Sequence, residues 1–129
     1  MAHDLEEESM TIVDEIKVNI QPGTNIPKPE AKGFFTVKGW GIRRGERALI
    51  YTIPNHKNSK KHNEKGITES EWTRAYNQLM EGDFTRSWFK ENLSACAEGS
   101  CNFTTIGGIF EILGLTVYTS RGVYKKLDN

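Results

Sequence analysis

The chain has 129 residues, of which 36% are hydrophobic and 26% are charged, and it contains only two cysteines. These proportions are typical of one folded globular domain, and they exclude a disulfide-stabilised scaffold. No stretch approaches the roughly 18 consecutive apolar residues that a membrane-spanning helix needs, and the acidic start differs from a signal peptide, so we expect a cytoplasmic protein without membrane contact.

Charge is segregated along the chain although the formal net charge is zero. Residues 1–16 carry six acidic side chains and no lysine or arginine. We expect residues 1–10 to form a flexible acidic tail, followed by a single α+β domain over residues 11–129. Residues 38–65 carry eight lysines and arginines against two glutamates. A basic block of this kind is what proteins use to contact phosphate groups.

Three β-strands are expected before the first long helix. Residues 11–20 alternate apolar and polar side chains, and residues 34–42 and 47–53 are rich in β-branched and aromatic residues, as strands usually are. The segment between the last two runs, residues 43–46, contains a glycine that can adopt the positive φ of a tight turn. The sequence therefore predicts a hairpin there.

Two segments are expected to lack regular structure. Residues 25–30 contain two prolines, which remove backbone donors and disfavour helix in the preceding residue. Residues 55–65 contain no apolar side chain, so we expect the stretch from residue 55 to 66 to be an exposed loop.

Three helices and a hairpin are predicted for the second half of the chain. Thr68 and Glu71 have the spacing of a capping box, so the first helix begins there and ends at Gly82. One face of this helix is apolar and is assigned to the core: Trp72, Ala75, Tyr76 and Leu79. The later elements are a second helix over residues 85–95, a third over residues 103–113 and a β-hairpin over residues 115–126.

The order of these elements over residues 67–127 resembles that of winged helix-turn-helix domains. In that family the third helix enters the major groove of DNA, and the hairpin, called the wing, contacts phosphate or the minor groove. The resemblance implies that the residues facing the groove are Asn102, Thr104, Thr105 and Glu111. It implies that the residues of the wing are Thr119, Ser120, Arg121, Lys125 and Lys126.

The third helix departs from the family pattern. It contains no lysine, arginine or glutamine, the side chains that usually read base edges. Gly107 and Gly108 each lower helix propensity by about 1 kcal/mol relative to alanine, so we expect them to permit a close approach. Tight packing within the domain is the expected role. A dimer seam and contact with a nucleic-acid backbone are the alternatives.

Candidate catalytic and metal-binding groups are sparse. Cys96 and Cys101 have no second pair to complete a zinc site, so we expect free thiols, with a local disulfide as the alternative. The candidates for a nuclease-like site lie in or beside the basic block: Glu46, His56, His62 and Glu64. A solvated loop does not by itself fix the geometry that catalysis requires. We therefore expect no metal, no cofactor and no catalytic residue.

The sequence thus favours a small nucleic-acid-binding protein that contacts mainly backbone phosphates, with DNA favoured over RNA. The candidate contact residues are Arg43, Arg44, Arg47, Lys57, Lys60, Lys61, Lys65, Thr104, Thr105, Arg121 and Lys125. The three arginines surround a tight turn, and guanidinium groups match phosphate geometry well. A protein-interaction or assembly module, such as a homodimer, is the second hypothesis, and an enzyme is the third.

Overall fold

The computed structural model describes residues 10–31, 33–54, 63–97 and 101–128. It contains five helices and seven strands within these ranges. The predicted acidic tail lies outside the described residues, except for Met10. In the described part of the chain, no helix combines the length and the apolar character needed to cross a bilayer.

The first sheet has four antiparallel strands in the order β1-β2-β3-β4. Their bounds are β1 Asn25–Ile26, β2 Phe35–Arg43, β3 Glu46–Ile53 and β4 Asn63–Thr68. The hairpin between β2 and β3 was predicted correctly. Arg44 and Gly45 at its tip have φ values of 48° and 77°, as a two-residue hairpin turn with two positive φ angles requires.

The second sheet has three antiparallel strands in the order β5-β7-β6. Their bounds are β5 Phe84–Thr85, β6 Thr116–Ser120 and β7 Val123–Lys126. The predicted C-terminal hairpin is therefore confirmed, with its turn at Arg121 and Gly122. Pairing of β5 with β7 sets Thr85 beside Val123, so the hairpin packs against the segment that precedes the second predicted helix.

Five helices accompany the sheets. Their bounds are α1 Ile12–Asn19, α2 Glu69–Glu81, α3 Arg86–Asn92, α4 Ser94–Ala97 and α5 Asn102–Ile112. The capping box of α2 is present, because Glu71 N donates to Thr68 Oγ1 over 3.2 Å and Thr68 N donates to Glu71 Oε1 over 2.9 Å. The second predicted helix divides at Leu93 into α3 and α4.

Residues 11–20 form helix α1 and not the predicted strand. Thr11 and Asp14 make a second capping box, which fixes the start of a helix. Ile12, Ile16 and Ile20 then follow at intervals of four and are all buried. Alternate residues would have placed Val18 in the core, but Val18 is 61% exposed. The apolar residues of this segment fit the period of a strand as well as that of a helix. The capping box determines that the segment is a helix.

Part of the predicted loop over residues 55–66 is also strand. Residues 55–62 lie outside the described part of the chain, but β4 begins at Asn63 and pairs with β3 along its whole length. Its hydrogen-bonding partners come from β3, and Gly66 and Ile67 are buried. Of the three predicted strands, two are therefore present in this sheet as β2 and β3, and β1 and β4 were not predicted. Both are short or mostly polar and depend on pairing with their neighbours.

The two halves of the chain share one hydrophobic core. Helices α2 and α5 contact strands of both sheets. The centre of the core is a cluster of aromatic rings around Phe84, whose ring centroid lies 5.0 Å from that of Phe103. The other members of the cluster are Trp88, Phe89, Phe110 and Tyr124.

Candidate nucleic-acid interface

Helix α5, which the winged-helix resemblance assigns to the groove, is enclosed by the rest of the domain. Eight of its residues are buried, from Asn102 to Phe110 with the exception of Thr104. A side-chain carbon added at Gly107 would overlap the ring of Tyr124, and one added at Gly108 would overlap the carbonyl oxygen of Pro27. The expected tight packing within the domain is confirmed. These two glycines do not lie on a surface that a second copy could contact.

The hydroxyl groups proposed to face nucleic acid are bound to a lysine of the same chain. Lys28 Nζ donates to the carbonyl oxygen of Cys101 over 2.9 Å, to Thr104 Oγ1 over 2.9 Å and to Thr105 Oγ1 over 2.6 Å. The same amine lies 4.2 Å from the centroid of the Phe35 ring. Lys28 therefore fastens the proline-rich segment to the start of α5, and Thr105 is fully buried.

Asn102 belongs to the same buried polar network. The hydroxyl of Tyr51 donates to Asn102 Oδ1, and Asn102 Nδ2 donates to the carbonyl oxygen of Cys96 over 2.8 Å. Burial raises the pKa of the Tyr51 hydroxyl, so it remains a donor at neutral pH. Asn102 thus joins β3 to the segment before α5 and is not exposed to a ligand.

Burial also changes the charge balance at Lys28. Burial lowers the pKa of its amine from 10.5 to about 7; nearby Cys101 opposes this shift, and Arg86 adds to it. The amine therefore changes charge near neutral pH.

Arg44 is occupied by an internal ion pair. Its Nε donates to Glu71 Oε2 over 2.8 Å, and one terminal nitrogen donates to Glu71 Oε1 over 2.6 Å and to the carbonyl oxygen of Gly66 over 2.8 Å. Burial alone would raise the pKa of the Glu71 carboxyl, but the hydrogen bonds from Arg44 and from Thr68 N outweigh it and lower that pKa. The guanidinium group fixes the β2–β3 turn to α2, and its Nε and one terminal nitrogen are used by Glu71 and Gly66.

Replacing Arg44 with alanine is expected to lower the free energy of unfolding by about 1–3 kcal/mol, because Glu71 would lose its charged partner while remaining buried. Urea denaturation at pH 7 measures this. Arg47→Ala is the matched control, since the Arg47 side chain is 61% exposed and lies 4.0 Å from Glu69. The control should change stability by less than about 0.5 kcal/mol. Equal effects of the two substitutions would contradict a structural role for Arg44.

The other described cations of the first sheet that were predicted to contact nucleic acid are Arg43, Arg47 and Lys65. Both arginines lie near carboxylates, and Lys65 lies on a paired strand. Arg43 donates to the carbonyl oxygen of Ile42 and lies 3.7 Å from Glu64 Oε1. Lys65 is half-buried on β4, next to Tyr51 in the register. Lys57, Lys60 and Lys61 lie outside the described residues.

The two described ends of the basic block lie at opposite ends of β3. The turn at Arg44 lies at one end of β3, whereas Ile53 and Asn63, which bound the segment containing the three lysines, are paired at the other end. Eight residues of strand separate these ends by roughly 23 Å. The described ends of the basic block therefore do not meet in one compact patch.

A different group of cations converges between α3 and the β6–β7 hairpin. We call this site the α3–hairpin cleft; it has a volume of about 500 Å³. Its lining residues are Thr85, Arg86, Ser87, Lys90, Arg121, Gly122 and Val123. Arg86 N donates to the carbonyl oxygen of Gly122 over 3.0 Å, and this bond fixes the hairpin turn against the start of α3.

The side chains of this cleft are accessible. Arg121 is 84% exposed and pairs over 3.1 Å with Glu30, which is 60% exposed, so the pair is weakly held. The Arg86 guanidinium lies 4.7 Å from the centroid of the Phe103 ring. Lys90 is exposed on α3, and Lys125 is exposed on β7. Among the described residues that were predicted as contacts, Arg121 thus lines the cleft, and Lys125 lies two residues beyond Val123 on the same strand.

The candidate catalytic groups are not assembled in the described residues. Glu46 accepts hydrogen bonds from Ser70, and Glu64 from Lys38. His56 and His62 lie outside the described part of the chain, in which no three His, Cys, Asp or Glu side chains could together hold a metal ion.

Both cysteines are free thiols, as expected. Cys96 is fully buried, and burial raises the pKa of its thiol. A buried protonated thiol is a poor nucleophile. Cys101 is partly exposed at the start of α5.

Sequence reasoning missed Lys28, Arg86 and Lys90. Arg86 and Lys90 are four residues apart at the start and middle of a short helix, a spacing that places both on one face, and this signal was available. For Lys28 the sequence offers no local signal, because its hydrogen-bond partners are more than 70 positions away.

Comparison of the chain with protein-family models, curated protein sequences and solved structures found no match. Function is therefore inferred from the residues and their geometry.

Proposed function

We propose that this protein binds nucleic acid, with DNA favoured over RNA, by contacting backbone phosphates at the α3–hairpin cleft. The observation that carries the proposal is the convergence of Arg86, Lys90 and Arg121 in a cleft whose described lining residues include two with hydroxyl side chains and none with a carboxylate. Arginine and lysine supply most protein contacts to phosphate oxygens, and serine and threonine hydroxyls contribute further ones.

In this proposal the β6–β7 hairpin contacts nucleic acid, as the wing does in winged-helix domains, whereas helix α5 does not enter a groove. The β6–β7 hairpin follows α5 after a short connection, and its turn carries the exposed Arg121. Lys125 is exposed and lies two residues beyond Val123 on β7, so its side chain is on the same face of the hairpin as Val123, which lines the cleft; Lys126 points to the opposite face. This surface supports contact with a sugar-phosphate backbone.

Burial of α5 determines what kind of recognition is available. Base edges are read by side chains that enter a groove, and eight of the eleven residues of α5 are buried. Of the remaining three, Glu111 accepts a hydrogen bond from Tyr118 N and Thr104 accepts one from Lys28. The cleft carries cations and hydroxyl groups on the outside of the domain. We therefore expect binding that depends little on sequence and strongly on salt.

Salt dependence tests the proposal directly. Binding of a labelled DNA duplex should weaken steeply between about 50 and 200 mM salt, and the double variant Lys90→Ala, Arg121→Ala should reduce the slope of log affinity against log salt by up to about two. Each lost phosphate contact removes about 0.9 from that slope for duplex DNA. Fluorescence anisotropy titrations at several salt concentrations measure it.

The matched control removes two charges of the same kind from the first sheet. Lys38 and Arg47 are 59% and 61% exposed, so Lys38→Ala with Arg47→Ala changes the net charge equally but leaves the cleft intact. The control should keep the wild-type slope. Absence of binding at low salt, or an equal loss of slope in both double variants, would refute binding at this cleft.

A further inference from the structure

A second cavity lies next to the α3–hairpin cleft, between the proline-rich segment and the start of α5. Its volume is about 230 Å³, which is below the usual range for drug-sized ligands. The residues that matter for its chemistry are Lys28, Glu30, Arg86, Cys101, Thr104 and Tyr118. We call it the Lys28 cavity. Arg86 is shared between this cavity and the cleft.

Within the described lining of the Lys28 cavity, two side chains are cationic and neither is paired with an anion. Among the described residues, neither Lys28 nor Arg86 forms a salt bridge. All three hydrogen bonds of Lys28 go to neutral oxygens. Glu30 also lines the cavity, but its side chain is 60% exposed and its carboxylate pairs with Arg121, which is not part of the cavity lining. Half-buried cations without a counter-ion are less well solvated than exposed ones, so the site is electrostatically suited to an anion.

Arg86 supplies the hydrogen-bond donors that such an anion needs. Its guanidinium lies over the Phe103 ring, a contact that holds the group in place without using its N–H donors. Within the described residues the Arg86 side chain makes no hydrogen bond, and the hydroxyl of Tyr118 makes none. Lys28, whose donors are all used, contributes its charge.

We propose that the Lys28 cavity binds a compact tetrahedral dianion of the phosphate or sulfate type. Two positive charges match a dianion, and the volume admits one phosphate group with little attached to it. The site goes beyond the proposed function, because it requires no nucleic acid. Two sources supply this chemistry: a free anion or small phosphate ester, and the terminal phosphate of a strand bound at the cleft. Only the second source rests on the proposed function.

Anion binding at this cavity is expected to be stronger at pH 6 than at pH 8.5. The Lys28 amine loses its proton in this interval, and a bound dianion favours the protonated form. Sulfate is the suitable probe, because it remains a dianion throughout. The other charged or titratable groups around Lys28 are Glu30, Tyr51, Arg86, Cys101 and Tyr118.

Alkylation of Cys101 provides a readout in the wild-type protein. Cys101 lines the cavity, whereas Cys96 is fully buried, so iodoacetamide reports on Cys101. We expect millimolar sulfate or inorganic phosphate to slow the reaction several-fold relative to sodium chloride at the same ionic strength. Equal rates in sulfate and chloride would overturn the proposal, and this result does not depend on the folding of any variant.

Two matched substitutions locate the effect. Lys28→Met should abolish the protection by sulfate, whereas Lys90→Met, which removes a lysine from the cleft but not from the cavity, should retain it. Circular dichroism establishes that each variant is folded. Protection that persists in folded Lys28→Met would refute the site.

Oligonucleotides that differ only at the 5′ end distinguish the two sources. Tighter binding of the 5′-phosphorylated strand, lost in Lys28→Met, identifies the strand end as the ligand. Equal binding of both strands, together with sulfate protection, identifies a free anion. If neither strand binds while sulfate still protects Cys101, the proposed function fails and the anion site stands.

Discussion

Replacing Gly107 with alanine is expected to lower the free energy of unfolding by about 2–3 kcal/mol, although alanine has the higher helix propensity. The added methyl group would overlap the ring of Tyr124, which is fully buried and packed against both Phe84 and Phe103. Neither the ring nor the helix can move without disturbing the aromatic cluster. Thermal or urea denaturation of the single variant measures the loss.

Gly82→Ala is the matched control for this prediction. Gly82 ends α2, has an extended φ of 169° and has open space where a side chain would be added. The same substitution there should change stability by less than about 1 kcal/mol. The loss at Gly107 should not depend on protein concentration, because the contact lies within one chain. Stabilisation by Gly107→Ala would contradict the packing of α5 against Tyr124.

The free energy of unfolding is expected to rise by up to about 2 kcal/mol between pH 7 and 8.5 through Lys28 alone. The unfolded chain keeps the Lys28 proton up to a pKa near 10.5, whereas the folded chain loses it near pH 7. In this interval the unfolded state binds more protons, so raising the pH favours the folded state. This change in the free energy of unfolding is an upper bound, because Lys28 is only half-buried and solvent screens its charge.

The difference between the wild type and Lys28→Met isolates this contribution. Cys96 acts in the opposite direction, since burial raises the pKa of its thiol and an unfolded thiol ionises as the pH approaches 9. Subtracting the two stability profiles removes the contribution of Cys96. Urea denaturation in chloride buffer at four or five pH values is sufficient, with Lys90→Met as the exposed control. A difference that is constant with pH would show that Lys28 is not linked to folding.

The sequence predicted those elements whose signals are local. The capping box at Thr68 and Glu71 and the two hairpin turns were read correctly because the residues that specify them are neighbours. Residues 11–20 were assigned wrongly because their apolar residues fit a strand as well as a helix. Strand β4 was missed because its pairing with β3 supplies the stability that its own polar residues do not.

The candidate site was harder to predict because counting charged residues does not show which of them are hydrogen-bonded to other parts of the fold. Arg44 belongs to the basic block, yet its guanidinium binds Glu71, 27 positions away. Thr105 is a polar residue on the predicted recognition helix, yet it is fully buried and bound to Lys28. Arg121 was predicted as a contact residue and does line the cleft, with Lys125 on the same hairpin, because the hairpin that carries them was predicted correctly.

The packing of Pro27 against Gly108 limits how this protein can be truncated. A fragment beginning at residue 67 would lack Ile26 and Pro27, which cover that glycine, and Lys28, which donates hydrogen bonds to the start of α5. The apolar side of α5 would then be open to water, although the fragment contains all three helices and the hairpin on which the winged-helix resemblance rests. Such a fragment is expected to aggregate when expressed alone, so a smaller version for binding studies must retain the first sheet and the proline-rich segment.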